Sequence, residues 1–478
     1  MATFHLINFG CRASQADGAA LKRQLLDAGL EEVSGAEQSH VAVLNTCTVT
    51  ATADAEVRQV IRRIHRANPQ CRILVTGCYA QRSPEEIAKL PGVAWVVGNS
   101  HKRFVADLLG GAEKSEARSQ KAEKENSELR ILNSELSTPS PESRVANPES
   151  RVTSPDSPAT VLVGEISEEF HFAPVFPDDC TRPTLKIQDG CDARCSFCII
   201  PEVRGASRSL PPEKVIEQVR RLEDEGYQEI VLSGINLGGY GKDLQPRLSF
   251  LGILERILTE TSLPRVRISS IEPMDVSAQL IGLVAGQPRL ARHFHVPLQS
   301  GSDRILRQMN RRYWASHYAE RIRAIHEQIP NCGIGADVMV GFPGETDADH
   351  EASLRFVASL PFTYLHVFPY SSRPGTPAAA RDGHLNGRII HERGREMRAL
   401  VAPKRQAFLE SQVGRTIPAL TLDEEQDGAR VALSSNYLKL LLPGSGLPAN
   451  RLVEARVGRI HEGWVYAYAD AAHPAIPA

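Results

Sequence analysis

No stretch of the chain approaches the run of about 20 apolar residues that a membrane-spanning helix requires. The opening Met-Ala-Thr-Phe-His-Leu-Ile-Asn also lacks the charged-then-apolar layout of a secretory signal, so a cytoplasmic location is expected. Excess charge of one sign is missing too: 55 Lys and Arg stand against 57 Asp and Glu, a net of −2. No overall basic field announces a nucleic-acid partner, although basic residues can be local. Nine cysteines in 478 residues, with no secretion signal, argue against a disulfide framework and for reduced thiols used as ligands. The length is too great for one core and suggests about three domains.

What is present centres on Gly190-Cys-Asp-Ala-Arg-Cys-Ser-Phe-Cys-Ile-Ile-Pro201. Cys191, Cys195 and Cys198 at C-x3-C-x2-C can converge on one iron–sulfur cluster, and no fourth cysteine lies nearby. Complete cluster sets carry four cysteines, so three leave one iron open to a small molecule. A zinc knuckle or three unrelated core cysteines are the alternatives. Zinc sites pair two such ligands with two more, and no second pair is adjacent.

The first 110 residues alternate strand and helix. Phe4–Asn8, Val41–Leu44 and Arg72–Thr76 read as buried strands, with helical patterns at Leu21, Leu25, Leu26 and Leu30 and at Val57, Val60, Ile61 and Ile64. Ser83-Pro-Glu-Glu86 has the order of an N-cap, a first-turn proline and a capping box. A small α/β domain with a parallel sheet follows. Cys11, Cys47 and Cys78 each fall just past the carboxyl end of a strand, where parallel sheets bind ligands. Three thiolates from three loops can meet at one point; the other reading is three small buried hydrophobes. Cys71, entering a strand, reads as core.

From Gly110 to about Thr160, Ser, Glu, Pro, Asn and Lys dominate, and short repeats recur: Asn126-Ser-Glu-Leu129 as Asn133-Ser-Glu-Leu136, and Glu142-Ser-Arg-Val145 as Glu149-Ser-Arg-Val152. Too little apolar surface is available to offset the entropy of ordering, so a disordered insert or linker is expected.

The central region repeats strand and helix six times, with strands at Leu185–Gln188, Glu229–Ser233, Arg265–Ser269, Arg292–Val296, Ile334–Val340 and Tyr364–Phe368. This suggests an incomplete β/α barrel with its chemistry at the strands' carboxyl ends. Distinctive loops follow those ends: Gly234–Gly241, Ser270–Pro273, Pro297–Gly301 and Gly341–Thr346. Together with the cysteine loop they read as a cofactor and substrate pocket. His293 and His295 share a strand face, as interior histidines or as metal ligands. Asp303–Arg323 carries six arginines against two acids, with Tyr313 and Trp314 interleaved. Such a segment suits RNA phosphates and base stacking, or is a solvated helix face. Cys180 and Cys332 have no nearby ligand partners and read as structural. The tail offers five short strands, Thr416–Leu422, Ala429–Leu433, Tyr437–Leu442, Arg451–Val457 and Trp464–Tyr468, which fit a small barrel.

Six cysteines in this order, with these loops, resemble the radical S-adenosylmethionine (radical SAM) methylthiotransferases. Ile187-Gln-Asp-Gly-Cys191, Ile199–Gly205, Ser233–Gly241 and Ser269-Ser-Ile-Glu-Pro273 are most similar to the branch acting on threonylcarbamoyladenosine at tRNA position 37. Glu202, where the family often has an aromatic residue, and the Ser/Glu-rich linker depart from its pattern. The resemblance implies an α/β multidomain chain. Its parts are an amino-terminal parallel α/β domain (1–110), a low-complexity segment (111–160), a partial (β/α)6 radical SAM barrel (175–405) and an all-β TRAM barrel (411–474).

The resemblance further implies two [4Fe–4S] clusters, one on Cys191, Cys195 and Cys198 that cleaves SAM to a 5′-deoxyadenosyl radical, the other on Cys11, Cys47 and Cys78 that holds the sulfur. SAM would be contacted from Ser233, Gly234, Asn236, Glu272, Gln299 and Gly341; no catalytic residue beyond the cluster cysteines is assigned. Expected partners are the tRNA anticodon stem-loop, SAM, and electron and sulfur donors of unassigned identity, with no membrane. The alternatives are a methylthiotransferase for isopentenyladenosine 37 or a ribosomal-protein aspartate, and, from another class, a non-catalytic zinc and RNA-binding protein.

Overall fold

The computed structural model describes residues 2–110, 159–166, 181–444 and 446–469. The expected linker, up to residue 158, and Cys180 lie outside them. The chain divides into two units, the first of Met1–Asn8, Leu21–Thr46 and Glu56–Gly164, the second of Phe9–Ala20, Cys47–Ala55 and Glu165–Ala478.

The first unit is built on β1 (Thr3–Asn8), β2 (Glu31–Glu32), β3 (Val41–Thr46), β4 (Arg72–Gly77), β5 (Val93–Gly98) and β6 (Thr160–Leu162), in the order β2-β1-β3-β4-β5-β6 with every pair parallel. Strand β3 is buried along its whole length, its apolar run Val41–Leu44 as expected in a parallel sheet and its polar end Asn45 and Thr46 as well. The three expected strands are present, whereas β2, β5 and β6 were not foreseen. The pairing of Thr160–Leu162 with Trp95–Val97 moves the expected boundary at residue 110. Segment 111–158 is an insertion between two strands of one sheet, not a connector between domains.

Two local expectations are also corrected. The first helix, Arg12–Asp27, stops short of Leu30. Gly29, at φ +87°, turns the chain, and the Leu30 N–H closes on the Leu25 carbonyl at 3.1 Å. Leu30 still joins the core of Phe4, Leu21 and Leu25, while Leu26 faces solvent. Ser83 and Pro84 stand at the N-cap and first helical positions, but the Ser83 side chain makes no capping hydrogen bond, so the capping box is absent.

The second unit holds β7 (Thr184–Asp189), β8 (Arg208–Ser209), β9 (Glu229–Gly234), β10 (Arg265–Ile268), β11 (His293–His295), β12 (Gly333–Val340) and β13 (Tyr364–Pro369). The ladders run β8-β7-β9-β10 and β11-β12-β13, joined by the parallel bridges Val266↔Leu290 and Ser270↔His295. Six parallel strands in sequence order, with no ladder among the described residues from β13 back to β7, make an open barrel.

The tail forms a closed barrel of β14 (Thr416–Gln426), β15 (Ala429–Ser434), β16 (Lys439–Pro443), β17 (Leu452–His461) and β18 (Trp464–Ala469), in the order β14-β15-β16-β18-β17. The sequence did not announce the helix Gly387–Gln412, which runs through the expected boundary at 405 with Pro403 inside it. Its Met397 and Val401 pack into the open-barrel core and its Leu409 into the closed-barrel core.

At the amino ends of β9 and β10, Glu229 is fully buried among Arg182 (3.5 Å), Arg267 (2.8 Å) and Arg265. The spare donors of Arg265 and Arg267 go to the carbonyls of Pro418, Leu433, Ser434 and Ser435 in the closed barrel. Burial alone would raise the Glu229 pKa, but Arg265 and Arg267 outweigh it and hold the carboxyl well below its usual range. Glu229→Gln is therefore expected to cost about 3–5 kcal/mol in urea unfolding near neutral pH, because the arginines lose their counter-charge. A depressed folded pKa gives stability that is complete above the unfolded value, about 4.3, and lost as pH falls below it. The gap between parent and variant should accordingly close on acidification.

Candidate iron–sulfur and cofactor site

Strand β7 delivers the cysteine loop, and the residues just before it are fixed by buried charge. Lys186 pairs with Asp17 and with Asp189 (2.9 Å), and Arg204 reaches Asp189 and Asp17, each at 2.9 Å. Burial pushes Asp189 up, yet Arg204 and Lys186 hold it well below the ordinary carboxylate range. Asp189 Oδ1 also accepts the Gly190 N–H at 2.8 Å. Gly190 sits at φ +71°, and a Cβ there would lie 1.8 Å from the Ala206 carbonyl oxygen. Only glycine allows this turn.

Past the turn, the Cys191 N–H donates to the Gly205 carbonyl at 3.1 Å. The Ser196 N–H and hydroxyl donate to the carbonyls of Met309 (3.0 Å) and Gln308 (2.9 Å), and Asn310 donates to the Arg194 carbonyl at 2.6 Å. The loop is thus held from residues 308–310 as well as from β7. Burial, reinforced by the two neighbouring thiols, pushes Cys198 up to about 12, and burial raises Cys191 too. The donors aimed at the sulfurs suit thiolates: Ala193 N–H to Cys191 (3.4 Å), Asn236 Nδ2 to Cys191 (3.9 Å) and Arg311 Nη1 to Cys195 (3.3 Å).

Arg311 was counted in the sequence only as part of a basic run. Its side chain is buried, and besides Cys195 it pairs with Glu272 and donates to the Tyr313 hydroxyl at 3.2 Å. Tyr313 is itself buried and bonded to the Leu298 carbonyl at 2.7 Å, so neither residue is free to meet RNA. Trp314 of the same segment is exposed, with Arg307 5.0 Å above its ring. No local signal could have revealed Arg311, because its sulfur partner lies 116 residues away.

The expected rim residues divide. Asn236 and Glu272 are brought to the cysteines, Glu272 through Arg311. Gln188, buried and read in the sequence only as part of the motif before Cys191, ties the rim together: its amide donates to the Gly190 carbonyl (2.7 Å) and Ser207 (2.9 Å) and accepts the Asn236 N–H (2.7 Å). Gly234 packs against Gln188, where a Cβ would meet Oε1 at 2.9 Å, and Ser233 is buried beside it. Gln299 is buried after β11 with its backbone paired to Asp337 and Met339. Gly341, at φ +79°, packs on Ile390 and donates to Glu345, a structural reason for glycine there. His293 is an interior histidine: Tyr364 lies 2.8 Å from its Nε2, and Tyr437 stacks on it at 4.3 Å.

Three thiols on one loop, with Cys198 close enough to feel both Cys191 and Cys195, are a donor set that fits an iron–sulfur cluster with an open iron. The buried amide oxygens of Asn236 and Gln299, which have no hydrogen-bond partner, fit a polar small molecule beside it. The amino-terminal cysteines stand on adjacent strand ends. Thr46 pairs with Gly77, immediately before Cys47 and Cys78, and Asn8 pairs with Asn45. Cys47 lies so close over Gly10 that a Cβ there would be 2.3 Å from its own, and Asn99 donates to Cys78 at 3.4 Å. Cys71 and Cys332 are buried in the cores.

Residues 3–98, which include Cys11, Cys47 and Cys78, match the model of the uncharacterized protein family UPF0004, and residues 185–357 match the Radical SAM superfamily. The chain is 35% identical over 96% of its length to the threonylcarbamoyladenosine tRNA methylthiotransferase MtaB of Bacillus subtilis, covering 94% of that protein. With the protein of the same name from Aquifex aeolicus the identity is 36%, over 91% of this chain and 95% of that one. With the tRNA-2-methylthio-N(6)-dimethylallyladenosine synthase of Pelotomaculum thermopropionicum it is 32%, over 94% and 93%. Among solved structures, the radical S-adenosylmethionine methyltransferase TsrM of Kitasatospora setae shares the fold, with a TM-score of 0.52 at 14% identity over 84% of this chain and 89% of that one.

Arg311→Met removes the donor to Cys195 while keeping the bulk. It is expected to weaken cluster retention on the loop about 10–100-fold, read as iron per chain after anaerobic desalting against a chelator.

Proposed function

Because the chain belongs to the radical SAM methylthiotransferases, whose cofactors are SAM and two [4Fe–4S] clusters, we infer that it adds sulfur and a methyl group to C2 of N6-threonylcarbamoyladenosine 37 in tRNA. The observation that carries this is similarity along nearly the whole chain to relatives of that name, combined with a three-thiol loop at the mouth of an open barrel. When bound, the clusters supply the electron that cleaves SAM and the sulfur that enters the product. A radical route suits the target, because the C2 hydrogen of adenine has no acidity a general base could use.

The residues have separable tasks. Cys191, Cys195 and Cys198 hold the first cluster, and Cys11, Cys47 and Cys78 the second. Asn236 and Gln299 offer their unpartnered amide oxygens to the hydroxyl and amino donors of SAM. Ser233, Gly234, Glu272 and Gly341 complete that rim, with Arg311 and Gln188 as positioning residues. The closed barrel presents arginine and tyrosine together: Arg456 stands opposite Tyr468, and Arg459 opposite Tyr466 with 4.9 Å from guanidinium to ring. Tyr468 is exposed and lies over Gly458, where a Cβ would come within 2.7 Å of its ring. This face supports binding of the anticodon stem-loop with base 37 unstacked. Acting on tRNA, the enzyme is assigned to the cytoplasm; among the described residues no helix is long and apolar enough to cross a membrane. The electron and sulfur donors are separate partners.

Two tests follow. In a strain lacking the protein, the methylthio form of threonylcarbamoyladenosine should vanish from tRNA digests. Unchanged levels would refute the choice of substrate, and loss of the methylthio isopentenyl nucleoside instead would favour the second reading, raised by the 32% identity to the dimethylallyladenosine synthase. Cys195→Ala should abolish SAM cleavage, whereas Cys47→Ala should retain some cleavage without sulfur insertion; full product from Cys47→Ala would overturn the second-cluster assignment. For the RNA face, Tyr468→Ala is expected to weaken tRNA binding by about 1–3 kcal/mol in a filter-binding titration, and Arg456→Ala to flatten its salt dependence.

A further inference from the structure

We propose that His295, Asp337 and His366 form a site for a divalent transition-metal ion of the zinc or ferrous class, distinct from both sets of cysteines. The three come from neighbouring strands β11, β12 and β13, and their ligand atoms all lie within 4.8 Å of one another. His295 Nε2 is 3.2 Å and His366 Nδ1 3.3 Å from the same Asp337 oxygen. A tetrahedral ion with bonds of about 2.0–2.1 Å separates its ligand atoms by about 3.4 Å, close to both values.

His295 supplies the second observation. It is 7% exposed, and its Nδ1 is fixed by the Ser270 hydroxyl at 2.7 Å. Such an outer partner sets the tautomer and orientation of a ligating histidine. Its Nε2 is buried and faces Asp337 at 3.2 Å without the geometry of a regular hydrogen bond. His366 Nδ1 reaches the same Asp337 oxygen at 3.3 Å, so two imidazole nitrogens and one carboxylate oxygen are gathered at one point, as the ligands of a shared cation are. Asp337 is held in place by its own carbonyl, which accepts the N–H groups of Leu298 and Gln299.

His366, with 62% of its side chain exposed, gives the ion a way in and leaves coordination positions for water or a substrate oxygen. Two imidazoles and one carboxylate suit zinc or ferrous iron and are a poor set for magnesium or calcium. The sequence marked His295 as a candidate ligand but not its partners, 42 and 71 positions further on.

The test uses the full chain with its clusters reconstituted, so that the thiols are occupied. Protein incubated anaerobically with zinc sulfate and desalted is assayed for zinc and iron by mass spectrometry. The expected result is one zinc per chain, lost in His366→Ala and Asp337→Asn, kept in His366→Cys and in the exposed-histidine control His384→Ala, with iron unchanged throughout. Because His366 is on the surface, its substitution does not threaten folding. Absence of zinc from the parent chain, or equal zinc in the parent and His366→Ala, would overturn the proposal.

Discussion

Buried charge, which must be fully compensated or not buried at all, governs the second unit. One carboxylate with no exposure, Glu229, holds three arginines at the amino ends of the barrel strands, and two of them spend their remaining donors on backbone carbonyls of the closed barrel. Around β7, Lys186 and Arg204 share Asp17 and Asp189, and Asp189 also anchors the glycine before the first cysteine. In a low-dielectric interior each of these groups would be costly alone, and together they fix geometry. The strands between are apolar and specify only a barrel; the charges specify where its loops begin.

That rigidity matters for chemistry that needs an open coordination position. A loop carrying three ligands has to keep its thiols convergent without a fourth to close the set. The structure does this from outside: Gln188 below, residues 308–310 alongside, and Arg311 against Cys195. Arg311 also connects the loop to Glu272, so a rim residue expected to touch the cofactor acts first on a neighbour of the cluster. The aromatic and basic segment that looked like an RNA surface is divided accordingly, with Arg311 and Tyr313 turned inward and Arg307 and Trp314 outward.

Most of the architecture could be read because alternation of apolar strands and amphipathic helices is local information. All six barrel strands and all five tail strands lie where the pattern put them. What escaped was fixed by distant pairing. Val93–Gly98 and Thr160–Leu162 become strands of one sheet only because they lie beside each other and β4, and that adjacency crosses the whole low-complexity insertion. The helix Gly387–Gln412 was hidden by its proline and by serving two cores at once. The cysteines were legible from spacing and from position after strands, whereas Arg311 and the Asp337–His366 pair act across separations at which sequence carries no pattern.

The closed tail barrel has a consequence of its own. In the order β14-β15-β16-β18-β17, closed back on β14, each strand has a neighbour on both sides among the described residues, the parallel contact of β16 with β18 resting on Leu440↔Val465 and Leu441↔Tyr466, so no strand stands as an open edge inviting an added strand. Whatever docks there must be met by side chains. Contacts made by arginines and tyrosines on a finished surface tolerate sequence variation in the nucleic acid and respond strongly to salt. A surface of this kind is suited to holding related ligands alike rather than to choosing among them.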